Sequence, residues 1–478
     1  MSEVDLVGEA RDGRRQALLE AEYGNMLACI RCGLCLTSCP TYVLSLHEAE
    51  GPRGRVAMAR ALTEGTLALT PDLVEHEQNC LVCDACTAVC PAGVHMDPLQ
   101  VALRSAIAPE VHRPPWQRAL RHAVFRWLFS NMAAFRLVAR LLWLYQRLGI
   151  QRLVRALGVL KLLRLKQMEA YLPSIPRRFV VPRGEVYPAE PRVHGQGQVT
   201  ETGAASVASV QGGARRTPSA PPDTDRSPQS PVPGSPAIPV SFFAGCVMST
   251  ALAEIDQATI RVLQRAGCEV VNTAGQGCCG ALNAHGGDLD GAKEMARRNI
   301  AAFEGDGEAP VVVNSAGCGA MLKDYAHHFR DDPAWGGRAQ AFSHRVQDVT
   351  EFLSGRELPM RRPLQARVTY QEPCHLAHAQ RIRQQPRRLL QAIPGLDLAE
   401  MAESTLCCGS AGVYNVTNPR ESRQLQQRKL DHALDTGASV IATANPGCLL
   451  QLRSGLAERG SDVQVKHVVE LLDEATKP

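Results

Sequence analysis

At 478 residues, with 45% hydrophobic residues and a net charge of +4, the chain is long enough for two to four packed domains and has apolar material enough to do without disulfide staples. Its 17 cysteines are an odd number, and the opening MSEVDLVGEARDGRRQALLE is charged and has no apolar stretch of the secretory kind. A disulfide framework is thereby excluded, and thiolates serving metals in a reducing, cytoplasmic setting are expected.

Residues 1–110 carry eight cysteines in two runs, Cys29-x-x-Cys32-x-x-Cys35-x-x-x-Cys39-Pro40 and Cys80-x-x-Cys83-x-x-Cys86-x-x-x-Cys90-Pro91. This is the bacterial ferredoxin spacing, in which three close thiolates hold three irons of a cube and the fourth cysteine reaches the other cluster. The expected ligands are Cys29, Cys32, Cys35 and Cys90 for one [4Fe–4S] cluster, and Cys80, Cys83, Cys86 and Cys39 for the second. A tetrahedral zinc has no need of a third close thiol plus a distant fourth. Pro40 and Pro91 are expected to stop any helix and turn the chain toward the neighbouring cube. Soft-ligand, one-electron centres of this kind move electrons and do not by themselves transform a substrate. Between the runs, Gly51-Pro52-Arg53-Gly54-Arg55 opens a helix-like VAMARAL. Its arginines read as counter-charges to the clusters, as partner contacts, or as an ordinary solvated helix start.

Residues 111–189 read as a basic amphipathic helical spacer. From 111 to 180 there are 14 Lys/Arg and one acid, Glu169, so this stretch is +13 and the rest of the chain −9. A charge so localised points to a docking surface and away from a nucleic-acid partner. On a helical wheel Arg136, Arg140 and Arg147 fall within about 40° of each other, opposite Val138, Leu141, Leu142, Tyr145 and Leu148. Such a helix suits an anionic membrane surface or a partner subunit; the plainer reading is a core-facing helix with a solvated arginine face. No run of 18 uncharged apolar residues exists, so no membrane-spanning helix is expected. Residues 190–240, with SPQSPVPGSPAIP, read as a flexible Pro/Ser-rich linker.

The last 238 residues hold an internal repeat, with copies at 241–360 and 361–478. Cys246 is followed after 32 residues by Cys278-Cys279-Gly280 and then by Cys318; Cys374 is followed after 33 by Cys407-Cys408-Gly409 and then by Cys448. β-rich runs (IPVSFF, VVVNS, VTYQ, VIATA) precede the single cysteines and helix-like segments follow, which predicts a parallel sheet in each copy with cysteines at the strands' C-terminal ends. Cys268, outside the scheme, reads as core filler. His285, His375 and His378 lie near the thiols, either as hydrogen-bond or proton-handling groups or as polar caps of strand–helix turns. The whole is an α+β multidomain chain: a helical two-[4Fe–4S] ferredoxin-type domain, a basic spacer and two α/β repeats.

The repeats resemble the cysteine-rich CCG domain family, whose fuller pattern ends in C-x-x-C. Here Ser315 and Asn445 stand where the first cysteine of that pair belongs. This argues against a five-thiolate cluster and against disulfide-reducing chemistry of the heterodisulfide reductase type, which remains the alternative of another class. One ordinary [4Fe–4S] cluster or a zinc remains possible in a repeat. If only one repeat holds such a third centre, it is expected to be the second, through Cys374, Cys407, Cys408 and Cys448, rather than the first, through Cys246, Cys278, Cys279 and Cys318. The full order, with CCGALNAHGGD at 278–288, QEPCHLAHAQRIRQQPR at 371–387 and LCCGSAGVYNVTNP at 406–419, resembles the iron–sulfur subunit of bacterial glycolate oxidase. That resemblance implies a complex in which FAD-binding subunits oxidise glycolate to glyoxylate. This chain would relay the electrons toward membrane quinone, peripheral on the cytoplasmic face of the inner membrane and inactive alone. Equivalent subunits for D-lactate, another 2-hydroxy acid or glycerol 3-phosphate are the alternative. No G-x-G-x-x-G dinucleotide fingerprint is present, which agrees with flavin residing on partners only.

Overall fold

The computed structural model describes residues 12–158, 169, 171–190 and 236–478. Most of the expected linker, 191–235, lies outside the described residues, as do 159–168 of the spacer.

The N-terminal domain is helical. Proline at the first helical position starts Pro40–Ser45, Pro52–Thr63 and Pro71–Gln78, where its missing N–H costs nothing and its fixed φ fits the turn. Pro40 therefore opens the helix that follows it, with no helix running into it, and Pro91 lies just beyond the end of Ala85–Ala88. The apolar faces of these helices and of Met96–Ile107 bury Leu19, Met26, Val56, Leu62, Val74, Leu99 and Leu103 in one core. The cysteine loops hang from this core and turn tightly through left-handed residues, Arg31 and Gly33 in the first and Val82 and Asp84 in the second.

The spacer begins as Pro115–Arg121, runs through a π-helical turn at His122–Leu128, and continues as Met132–Arg147 and Ile150–Ala156. The Asn131 side chain caps the longest of these by accepting from the N–H groups of Ala133 and Ala134, both at 3.1 Å. The stretch read as helical to residue 189 ends instead in a strand, β1 (Glu185–Tyr187).

Two sheets follow. The first contains β1, β2 (Ile238–Phe243), β3 (Cys268–Asn272), β4 (Val311–Val313) and β5 (Val346–Asp348), in the order β1-β3-β2-β4-β5. The second contains β6 (Ala366–Tyr370), β7 (Leu396–Ala399), β8 (Val440–Thr443) and β9 (Gln464–His467), in the order β7-β6-β8-β9. Apart from β1, which pairs antiparallel to β3, every pairing is parallel and both sheets share one topology. Residues 238–240, placed in the linker by composition, already belong to β2.

The copies are packed reciprocally. Ala253–Arg265 of the first lies on Val468–Thr476 of the second, and Val349–Ser354 of the first on Gln384–Gln391 of the second. One apolar core runs through both, from Phe242 and Leu263 to Leu449 and Leu472, with Cys268 fully buried in it. Arg261 and Arg265 both pair with Asp473, at 2.6 and 2.8 Å, and buried His467 Nε2 donates to the Asn314 carbonyl at 2.9 Å. The loops that follow β4 and β8 meet at this seam, where the Ala316 N–H donates to the Ala444 carbonyl at 3.1 Å.

Candidate iron–sulfur and thiol centres

The structure brings Cys39 to the second cysteine run. Cys39, Cys80, Cys83 and Cys86 line one small cavity together with Pro40, Thr41, Leu81 and Arg55. Of the other run, Cys29 and Cys90 pack against the same helical core, Cys35 is half-buried next to Cys29, and Cys32 is exposed. Backbone N–H groups already face two sulfurs, Val82 to Cys80 and Val94 to Cys90, both at 3.4 Å.

The two arginines that open the helix divide their roles. Arg53 is partly exposed and pairs with Glu48. Arg55 is 1% exposed, with Nη2 2.7 Å from Glu50 and Nη1 4.0 Å from the Cys39 sulfur. Burial opposes its charge, but Cys80 and Cys39, then Glu77 and Glu50, hold it protonated beyond the ordinary arginine range. A buried cation beside four thiols fits a site built for a net-negative group.

Each repeat gathers its four thiols. In the first, Cys246 and Cys278 sulfurs are 3.6 Å apart, and Cys279 touches both Cys278 and Cys318. In the second, contacts run from Cys374 to Cys407, to Cys408, to Cys448. The shared glycine is required twice over: Gly280 and Gly409 have φ of 87° and 84°, and a Cβ there would stand 3.1 Å from the Ala292 backbone and 2.5 Å from the Ser422 carbonyl.

The surroundings of the two sites differ in charge. Seven residues beyond the residue that faces the glycine, the first repeat has Asn299 and the second Lys429. Lys429 is fully buried and donates to the Ser404 carbonyl at 3.1 Å. Burial lowers its pKa to about 8, against the pull of Cys408, Cys407 and Cys448. After the leading cysteine the first repeat has Val247 and the second His375, whose Nδ1 lies 3.6 Å from the Cys374 sulfur. Burial disfavours the imidazolium, but Cys374 overrides it and raises His375 to about 9. In the second repeat Gly409 N–H also faces Cys407 at 3.4 Å. The Asn445 amide faces Cys448 at 3.5 Å, and its Oδ1 accepts from Gly317 N–H at 3.1 Å, joining the copies. Asn445, standing in the absent cysteine's place, thus donates a hydrogen bond to the Cys448 sulfur and makes a seam contact.

Their neighbours differ too. Cys374 and Cys407 share an apolar cluster with Leu81, Cys83 and Ala85 of the ferredoxin domain, closed by Tyr414 and Leu425. Cys246 and Cys278 instead pack with Met295 under Phe129, Met132 and Phe135 of the spacer. A cleft lined by Trp127, Met132, Arg126 and Arg298 opens beside Cys278. Of the three histidines, His378 meets the Thr405 carbonyl at 3.2 Å, while His285 and His375 stack with centroids 5.6 Å apart.

In the spacer, Met132–Arg147 buries only Ala134 and Ala139. Leu137, Leu141 and Leu148 are 60%, 57% and 62% exposed, and Trp127 54%. Arg140 turns back over the Phe179 ring at 4.2 Å. Of the wheel's apolar face, Val138, Leu141 and Leu148 therefore look outward while Leu142 and Tyr145 are half-buried, so the helix is only in part the core-facing helix of the plainer reading. Among the described residues no helix is long and apolar enough to cross a membrane.

Residues 28–94 match the 4Fe-4S dicluster domain family, 240–323 and 368–453 the cysteine-rich CCG domain, and 116–172 the linker region of the glycolate oxidase iron–sulfur subunit. The chain is 36% identical to a probable glycolate oxidase iron–sulfur subunit of Bacillus subtilis, over 95% of this chain and 94% of that one. The chain belongs to the glycolate oxidase iron–sulfur subunit family. The Escherichia coli glycolate oxidase iron–sulfur subunit is 30% identical over 99% of both chains. A lactate utilization protein A of Oceanobacillus iheyensis is 33% identical, covering 49% of this chain and 96% of its own. This chain thus carries [4Fe–4S] clusters in a dicluster domain, followed by two CCG domains.

Lys429, Asn299 and the spacer residues over Cys278 were not singled out by sequence. Lys429 did leave a signal, as a lone lysine on the apolar face that buries Leu425, Leu430 and Ala433.

Proposed function

We propose that the chain is the electron-transfer subunit of a flavin-dependent 2-hydroxy-acid dehydrogenase, with glycolate the first substrate, positioned between FAD-binding subunits and membrane quinone. The observation that carries this reading is the contiguity of thiol sites: the cavity formed by Cys39, Cys80, Cys83 and Cys86 adjoins Cys374 and Cys407 through shared apolar packing. Cys29, Cys32, Cys35 and Cys90 would hold one cluster, Cys39, Cys80, Cys83 and Cys86 the second, and Cys374, Cys407, Cys408 and Cys448 a third centre. When bound, such clusters supply one-electron carriers whose potentials follow charge, hydrogen bonds and exposure.

The protein's own contribution is to set those three quantities. As a ligand of the second cluster, Cys39 would tie the first cysteine loop to the second. Arg55 in the ferredoxin domain, and Lys429 and His375 in the second repeat, place buried positive charge beside the thiolates. Leu81, Tyr414 and Leu425 exclude water between Cys83 and Cys407. The outward part of the spacer's apolar face, interleaved with arginines, supports docking on an anionic membrane, where quinone is found. Ser315 and Asn445 weigh against a heterodisulfide-type reaction.

The test is co-purification under anaerobic conditions with FAD-binding subunits encoded nearby. Glycolate-dependent quinone reduction is expected in the complex and none in the isolated, flavin-free chain. Glycolate oxidation by the pure chain would sink the reading; a complex active with D-lactate and inert to glycolate would move the substrate and leave the relay intact.

A further inference from the structure

Asp97, His285 and His375 come from three different bodies of the molecule. Asp97 lies in the first turn of the last ferredoxin helix, His285 ends the short helix after the first Cys-Cys-Gly, and His375 follows the leading cysteine of the second repeat. One ligand atom from each, a carboxylate oxygen and two imidazole nitrogens, lies within 4.8 Å of both others. His285 Nε2 stands 3.6 Å from Asp97 Oδ2. His375 Nε2 is shut off from solvent and has no hydrogen-bond partner among the described residues, which is costly for a polar ring atom.

The surroundings add an excess of acid. Asp84 is buried next to Asp97, accepting from its backbone N–H at 3.2 Å, and Asp324 lies close to both. Carboxylates packed so closely repel one another, and protonation, the facing imidazoles or a bound cation relieves this.

We propose that Asp97, His285 and His375 form a mononuclear site for a divalent transition metal, with zinc the first candidate, separate from every thiolate centre. Two imidazoles and a carboxylate with a fourth position open is a common donor set for such ions. Zinc held at about 2.1 Å in a tetrahedron needs ligand atoms about 3.4 Å apart. The His285–Asp97 pair, at 3.6 Å, is already near that spacing, and the whole set would have to draw in from within 4.8 Å. The site would clamp the ferredoxin domain to both repeats at one point. Metal on Nε2 of His375 would replace the proton there, so that the metal would supply the positive charge on this side of Cys374 while Nδ1–H stays toward the sulfur. The proposal rests on these three side chains and not on the identity of the dehydrogenase complex.

The experiment uses the anaerobically purified full chain with its clusters in place. It is incubated with zinc chloride and desalted, then analysed for metal content and by X-ray absorption at the zinc edge. One zinc per chain with only nitrogen and oxygen neighbours is expected. His285→Gln and, separately, Asp97→Asn are expected to weaken retention at least about tenfold with unchanged cluster spectra. Cys407→Ser with Cys408→Ser should leave it in place. A sulfur-dominated shell would assign the zinc to the repeats' thiols and overturn the site, as would no retained zinc, or full retention in both His285→Gln and Asp97→Asn.

Discussion

The two CCG repeats share one strand order and the same four cysteines, yet they are embedded in opposite kinds of surroundings. The second is ringed by Lys429, His375 and Asn445 and leans on Cys83 of the ferredoxin domain. The first has Asn299 and Val247 at the matching positions and leans on the aromatic residues of the spacer. Duplication preserved the thiols and the turn that needs them. What diverged is the buried charge around them, and charge decides whether a site welcomes an anionic centre.

The largest effect should come from removing the turn thiols. Cys407→Ser with Cys408→Ser is expected to abolish quinone reduction in the assembled complex and remove a third metal centre, as read by cluster spectroscopy and iron content. Cys278→Ser with Cys279→Ser should leave that centre in place. Equal loss in both would refute the asymmetry, and no loss in either would reduce the repeats to a docking scaffold.

Next in size is Cys39→Ser. It should impair the cluster of Cys80, Cys83 and Cys86 in spite of its distance in sequence, and with it the donor adjoining the second repeat. Selective loss of the Cys29, Cys32 and Cys35 cluster in low-temperature spectra would reverse the ligand assignment.

Lys429→Met sharpens the contrast without touching a thiol. Lys429 acts on the thiols through Coulomb attraction, about 1.5–3 kcal/mol for unit charges roughly 6–11 Å apart at an effective dielectric near 20, so losing it disfavours the more negative, reduced state by that amount. This amounts to a fall on the order of 65–130 mV in the third centre's potential. Redox titration reads this directly; an unchanged potential would mean that Lys429 only fills space.

The smallest effect concerns the seam. Burial lowers His467 to about 4 from an ordinary value near 6.5. Its contribution to stability is therefore complete above pH 6.5 and is lost as pH falls through 4, up to about 3 kcal/mol. Thermal unfolding followed between pH 7 and 4 should show this acid loss, and His467→Gln should flatten it. An acid loss of the same size in the variant would place the titrating group elsewhere.

The strands and their cysteine-bearing ends were legible because apolar runs such as VVVNS and VIATA carry a period and a boundary. Cys39's reach was legible because the ferredoxin spacing encodes it. Three things were not. Pro40 starting a helix depends on which side of the proline the chain becomes helical. The partly outward apolar face of Met132–Arg147 depends on what lies beside it, which a wheel does not record. Asp97, His285 and His375 are far apart in sequence and converge only through the packing of three domains.

β1 carries a consequence for how the polypeptide is wired. It comes before residues 191–235 in the chain yet is zipped onto β3, which comes after them, with Glu185, Val186 and Tyr187 opposite Asn272, Val271 and Val270. Glu22 also grips Arg330 at 2.9 Å, and Arg104 donates to the His285 carbonyl at 2.9 Å. Covalent continuity across 191–235 is therefore not what holds the halves together. A chain nicked there, or made as two separate polypeptides, should remain one particle: the N-terminal piece lends a strand to the C-terminal piece and covers the edge of its sheet against strand-to-strand association with other molecules.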